Sequence, residues 1–140
     1  MCTIIQWNAN SIVAHLSELK VFLSQQATLP DIICVQESLL NKKNTKLRIN
    51  GYDIERADRD SRGGGLVTCI RDGLSYARLP NPTSLKALII EVKLQFKTIK
   101  IVNTYHAPNK PTTDDQYRIL FQTFKRDSII LGDLWCVNDR

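Results

Sequence analysis

Long apolar runs are missing from this 140-residue chain. The longest, such as Ala87-Leu88-Ile89-Ile90, hold about four residues, where a membrane span needs about 20. The first residues reach Gln6, Trp7 and Asn8 at once, so they offer no signal-peptide core. Cysteine is sparse and scattered: Cys2, Cys34, Cys69 and Cys136 form no C-x-x-C pair. Cys34 and Cys69 lie inside apolar stretches, which predicts buried free thiols in a reducing compartment and a protein that is not secreted. There is no low-complexity segment, linker or heptad pattern. Gly63-Gly64-Gly65 is followed by no Gly-Lys-Ser/Thr and opens no helix, so it is a hairpin turn rather than a phosphate loop.

What is present suits one folded domain. Hydrophobic residues make up 43% and charged residues 24%, which excludes disorder and collagen-like repeats. Lys and Arg number 19 against 14 Asp and Glu, a net charge of +5 that permits a polyanionic partner without requiring one.

Residues 3–7 are β-branched and end at Asn8, predicting a short buried strand. Ser11 then offers an N-cap, and Ile12, Leu16, Leu19 and Leu23 repeat at helical spacing, so a helix is expected to about Gln26. Asp31-Ile-Ile-Cys-Val-Gln-Glu37 follows as a second strand. Strand, helix and strand in so short a span form a βαβ unit with parallel strands. The middle changes grammar. Tyr52–Ala57, Leu66–Arg71, Ser75–Leu79, residues 87–94 and Thr98–Tyr105 are short strands, and Gly63-Gly64-Gly65, Asp72-Gly73 and Gln95-Phe96-Lys97 are hairpin turns between them. Thr113-x-x-Gln116 is a capping box. Tyr117, Leu120, Phe121 and Phe124 mark a second helix, and residues 128–131 a last strand running into Gly132-Asp133.

Two segments echo each other. Asp31-Ile-Ile-Cys-Val-Gln-Glu37 and Asp127-Ser-Ile-Ile-Leu-Gly-Asp133 each follow a helix and end six residues later on a carboxylate. In such sheets ligands collect at the carboxyl ends of the strands. Asn8 closes the first strand at that end, and Asn103, Tyr105 and His106 close another. Two carboxylates ~4 Å apart would repel by about 4 kcal/mol at an effective dielectric near 20. A divalent cation relieves that, and an all-oxygen set of Glu, Asp and Asn suits magnesium. Magnesium, carboxylates and a basic chain point to phosphoester chemistry. Against this stands the plain reading of each carboxylate as a turn former or helix cap.

Ile5-Gln6-Trp7-Asn8-Ala9-Asn10-Ser11, Pro30-Asp31-Ile32-Ile33-Cys34-Val35-Gln36-Glu37-Ser38, Arg62-Gly63-Gly64-Gly65-Leu66-Val67 and Ile130-Leu131-Gly132-Asp133-Leu134 occur in order. Together they resemble the endonuclease/exonuclease/phosphatase superfamily, most closely the apurinic-type endonuclease domain of non-LTR (LINE-like) retrotransposons. The resemblance implies an α/β fold, a four-layered αββα sandwich like deoxyribonuclease I with mixed β-sheets. It implies Asn8 and Glu37 as ligands of Mg2+, or of Mn2+ in its place. It implies Tyr105 as the tyrosine that approaches the scissile phosphate and Asp133 as the aspartate that orients or deprotonates the attacking water. DNA is the implied partner, with a reverse transcriptase downstream in a full-length parent and a nuclear site of action.

The family's Gly-Asp-x-Asn motif would place an asparagine where this chain has Trp135, and the late Ser-Asp-His motif has no counterpart. The expectation is a single, C-terminally truncated domain over residues 1–140 in an incomplete sandwich, with 134–140 a divergent tail and the nuclease activity impaired. The alternatives are an inactive remnant or binding fragment, and a phosphatase of the same superfamily. Lys42, Lys43, Lys46 and Arg48 follow Glu37 as a basic loop suited to a phosphate backbone or simply to solvent. Because so little chain follows the second helix, the inner face of the first sheet is expected to lack cover and to drive self-association.

Overall fold

The computed structural model describes residues 2–41, 46–58, 64–106 and 114–133. Ten elements follow in order: β1 (Ile4–Asn8), α1 (Leu16–Ser24), β2 (Ile32–Gln36), β3 (Tyr52–Ala57), β4 (Leu66–Arg71), β5 (Ser75–Leu79), β6 (Lys86–Lys93), β7 (Thr98–Tyr105), α2 (Asp114–Thr123) and β8 (Ser128–Asp133). The strands form two four-stranded sheets, ordered β1-β2-β4-β3 and β5-β6-β7-β8. Each sheet holds one parallel pair, β1 with β2 and β7 with β8, and is otherwise antiparallel. Among the described residues no helix is long and apolar enough to cross a membrane.

The period-two alternation of the strands builds the layers. Ile32 and Cys34 of β2, with Ile70 of β4, face Ile90, Val92, Ile99 and Ile101 of the second sheet. The opposite face of β2 and β4, through Ile33, Val35, Val67 and Cys69, meets Leu19 and Leu23 of α1. On the far side Ile89 and Val102 meet Leu120 of α2 and Phe124 just beyond it. The order is therefore α, β, β, α.

Three local expectations need correction. The inner face of the first sheet does not lack cover: Ile32, Cys34 and Ile70 are fully buried under β6 and β7. That removes the apolar face on which self-association was expected. The reason lies at Asp72-Gly73, which is not a hairpin. Gly73 (φ +94°) turns the chain from β4 in one sheet to β5 in the other, and those strands do not pair. The first helix also starts late. Ser11 Oγ does accept from Ala14 N–H at 3.2 Å, as a cap would, but Ser11 has a left-handed φ of +88° and residues 12–15 form turns, so the helix proper begins at Leu16. At the second helix, Thr113 lies outside the described residues. Gln116 Oε1 accepts from Ser84 N–H at 2.8 Å, so it reaches a neighbouring loop.

Burial pushes the Cys34 and Cys69 thiols up to about 12 from an ordinary 9.0. Cys69 is raised further by Cys34 beside it. Unfolding returns them to their ordinary value, so the unfolded chain releases protons above pH 9 that the folded chain keeps. The stability is fully present below pH 9 and is lost as pH rises towards 12, by up to ~1.4 kcal/mol per pH unit for each thiol. Urea midpoints measured at pH 7, 9 and 10.5 are expected to fall only over the last interval. A Cys34→Ala, Cys69→Ala variant should flatten that fall; an equally steep fall would show that the thiols are not its source.

Candidate active site

The carboxyl ends of β1, β2, β7 and β8 converge on one edge of the sandwich. In the first sheet Asn8 lies opposite Gln36, so Glu37 follows directly beyond the β1 end. In the second sheet Tyr105 lies opposite Asp133. The sheets are tied there by Gln6 Nε2, which donates to the Gly132 carbonyl at 3.3 Å.

Alternation alone would point Glu37 towards α1, because Gln36 faces the second sheet. The backbone breaks the pattern. Glu37 has φ +50°, a left-handed conformation that costs a non-glycine residue about 1–2 kcal/mol. Asn10 (+44°), Ser11 (+88°) and Leu39 (+55°) are strained in the same way around it. The break brings the Glu37 carboxylate under the second sheet, where Oε1 accepts from Tyr105 Oη at 3.0 Å. The Tyr105 side chain is buried against Leu66 and Leu88 with Ala57 alongside, so the phenol is held by packing as well as by this bond.

The glycine-rich turn forms a wall of the same site. Ser38 N–H donates to the Gly65 carbonyl and Leu39 N–H to that of Gly64, each at 3.1 Å. Gly64 (φ +78°) lies along the Tyr105 ring: a Cβ there would stand 3.7 Å from the ring edge. Arg62 and Gly63 lie outside the described residues.

Glu37 and Tyr105 touch. Asn8 is exposed at the β1 end, where its Oδ1 accepts from Asn10 N–H at 3.3 Å. The backbone of Asp133 stands beside that of Tyr105, while its side chain lies outside what the structure describes. Lys46 and Arg48 are exposed; Lys42, Lys43 and Trp135 lie outside the described residues. His106 turns away from Tyr105 to α2, its Nδ1 pairing with Tyr117 Oη at 3.0 Å and its ring stacked on that of Tyr117. His15 Nδ1 pairs with the Ser11 carbonyl at 3.0 Å.

Among the described residues no group of three or more His, Cys, Asp or Glu side chains is placed to hold a metal ion. The donors at the edge are all oxygen, the Glu37 carboxylate and the Asn8 amide carbonyl. That set fits Mg2+, which is commonly held by one or two carboxylates with waters and substrate phosphate completing its shell.

Asn103, placed by the sequence at a strand end with Tyr105 and His106, lies instead in the buried part of β7. Gln36 and Asn103, both fully buried between the sheets, join through Gln36 Nε2, which donates to Asn103 Oδ1 at 2.8 Å. The available signal was an amide at an inward position of an apolar strand in each sheet.

No protein-family model matches the sequence, and no curated protein sequence matches it either. Solved structures do match. The endonuclease domain of TRAS1, a telomere-specific non-LTR retrotransposon, superposes with a TM-score of 0.72 at 17% identity, over 94% of this chain and 59% of that one. The 3′-5′ exonuclease NExo from Neisseria meningitidis gives 0.61 at 18%, over 94% and 57%. TDP2 from D. rerio, complexed with single-strand DNA product, gives 0.57 at 19%, over 94% and 58%. The chain thus spans less than two-thirds of the length of these structures.

Proposed function

The chain has the fold of the endonuclease/exonuclease/phosphatase superfamily, and on that premise we propose that its strand-end cluster is the centre of a metal-dependent phosphodiester hydrolase that nicks DNA. The observation that carries this is the 3.0 Å contact of Tyr105 Oη with Glu37 Oε1, made across two sheets by a strained glutamate. Structural reasons for placing a carboxylate there are weak, since desolvation makes it costly.

In this reading Glu37 and Asn8 hold Mg2+, which supplies Lewis-acid polarisation of the phosphate and charge neutralisation when bound. Tyr105, fixed by its packing, steers a non-bridging phosphate oxygen to the carboxylate side of the cleft. Asp133 orients a water in line with the leaving oxygen and takes its proton. The attacking oxygen bonds to phosphorus as the P–O bond to the leaving group breaks. DNA is favoured over a small phosphoester by the net charge of +5 and the exposed Lys46 and Arg48 beyond Glu37. A reverse transcriptase accompanies the activity in the retrotransposon reading, and the site of action is the nucleus.

Turnover is slow in this chain. Both histidines are engaged elsewhere, and Trp135 stands where the resembling motif has asparagine. A general acid is typically worth a factor of about 10²–10⁴, and neither of these histidines is placed to supply it. Supercoiled plasmid incubated with the purified chain and Mg2+ should convert slowly to open circles, and EDTA should stop the conversion. Duplex binding without any nicking would favour the binding-fragment reading. Cleavage that persists in EDTA would overturn the metal-dependent one.

A further inference from the structure

We propose that Gln36 and Asn103 are a positioning pair that sets the meeting of Tyr105 with Glu37; the activity arm of this claim rests on the phosphodiester reading above. Gln36 directly precedes Glu37, and Asn103 stands two residues before Tyr105 on the same face of β7. Each amide is thus bonded into the chain next to one of the two groups that must meet.

The surrounding interface shows what the pair adds. In the interior beside the pair, Ile32, Cys34 and Ile70 pack on Ile90, Val92, Ile99 and Ile101 with apolar surface, which is non-directional. Directional contacts between the sheets otherwise lie at their margins: Gln6 Nε2 donates to the Gly132 carbonyl at 3.3 Å, Tyr76 Oη to Glu55 Oε2 at 3.1 Å and Arg78 Nη1 to the Arg56 carbonyl at 2.9 Å. At Asn103 the contacts become directional. The two N–H groups of its Nδ2 are shared among the Val67 carbonyl at 3.0 Å, the Val35 carbonyl at 3.2 Å and Thr68 Oγ1 at 3.3 Å, while Oδ1 accepts from Gln36 Nε2 at 2.8 Å. One side chain of β7 therefore reads the positions of both β2 and β4.

The arrangement is also costly in a way that packing alone would not select. Gln36 Oε1 and Ser38 Oγ are buried with no hydrogen-bond partner among the described residues. These two atoms flank Glu37, and a buried polar atom without a partner is destabilising. An apolar residue at position 36 would avoid that cost, as its neighbours do. What it would forfeit is the fixed offset between the sheets at the point where a strained carboxylate meets a phenol. Misplacement by about 1 Å can cost a positioned reaction about 100-fold.

Asn103→Leu and Gln36→Met keep approximate shape and remove the amide contacts. Plasmid nicking by each is compared with wild type below the melting transition, by saturation kinetics. The expected result is a kcat lowered by about tenfold or more with KM changed by less than about twofold. In a Tyr105→Phe background, Asn103→Leu should lower kcat by less than about twofold further, because the contact it serves is already gone. A crystal structure of Asn103→Leu should show Tyr105 Oη beyond hydrogen-bond reach of Glu37. If that variant does not fold, Gln36→Met, which leaves the other Asn103 contacts in place, supplies the same measurements. An unchanged kcat, or an equal loss with and without the Tyr105 hydroxyl, overturns the proposal. Absence of Mg2+-dependent nicking in wild type would sink the phosphodiester reading instead. The crystallographic separation then decides: a lengthened contact upholds the pair's role, and one retained at 3.0 Å refutes it.

Discussion

Glu37→Gln is expected to abolish Mg2+ binding in a calorimetric titration while leaving the protein folded. The substitution keeps the shape of the side chain and an oxygen that can accept from Tyr105 Oη, so the cross-sheet contact and its packing survive. What disappears is the carboxylate charge at that contact, and a hard divalent cation is held chiefly by carboxylate oxygen. Thermal unfolding should therefore shift by only a few degrees, because the residue is half-buried and its backbone is held by partners the variant retains. Nicking should fall at least about 100-fold, in line with the loss of an electrostatic contact to the reacting phosphate. Asp133→Ala separates the roles: Mg2+ should bind as in wild type while cleavage falls by about 10²–10⁴-fold. Equal Mg2+ binding by wild type and Glu37→Gln would refute the ligand assignment.

The placement of the candidate site's residues was legible where chemistry coincides with periodicity. Tyr105 sits in phase with Ile99, Ile101 and Asn103, so alternation alone sends it between the sheets and His106 outward to α2. The layers were legible too, because the apolar stripe of each helix and the buried strands after it specify which faces must be covered. Glu37 was not legible in this way. Its position depends on a left-handed φ, which no pattern of apolar residues encodes, and Asn10 and Ser11 have positive φ as well. Asp72-Gly73 shows the other limit. A turn sequence fixes that the chain reverses, but whether the next strand pairs with the last or crosses to another sheet depends on which apolar face remains uncovered. The late start of α1 shows the same limit as Glu37, since the left-handed φ of Ser11, whose Oγ does accept from Ala14 N–H, is not encoded by helical spacing. The Gln36–Asn103 pair needed both sheets in place, because neither amide has meaning until the other faces it.

Gly132→Ala is expected to be among the most destabilising single substitutions in the chain, at about 3 kcal/mol or more. Gly132 lies opposite Thr104 in the parallel β7–β8 pair, one residue before Asp133. A Cβ built on it would collide with the backbone carbonyl of Thr104, and its φ of +153° lies outside the range that L side chains favour. A clash with a flexible side chain could be relieved by a rotamer change, but a strand carbonyl is fixed by its own ladder. The variant must therefore separate β8 from β7 or shift their register, and either movement displaces Asp133 from its place beside Tyr105. It also disturbs the carbonyl to which Gln6 Nε2 donates, loosening the tie between the sheets at the same edge. Ile129→Ala serves as the control on the same strand, since that side chain is 40% exposed and its loss should cost under about 1 kcal/mol. Urea midpoints separate the two, and nicking should disappear in Gly132→Ala even where the variant remains folded. A stability within about 0.5 kcal/mol of wild type, with cleavage intact, would mean that β8 tolerates a side chain against the Thr104 carbonyl and that its register does not hold Asp133 in place.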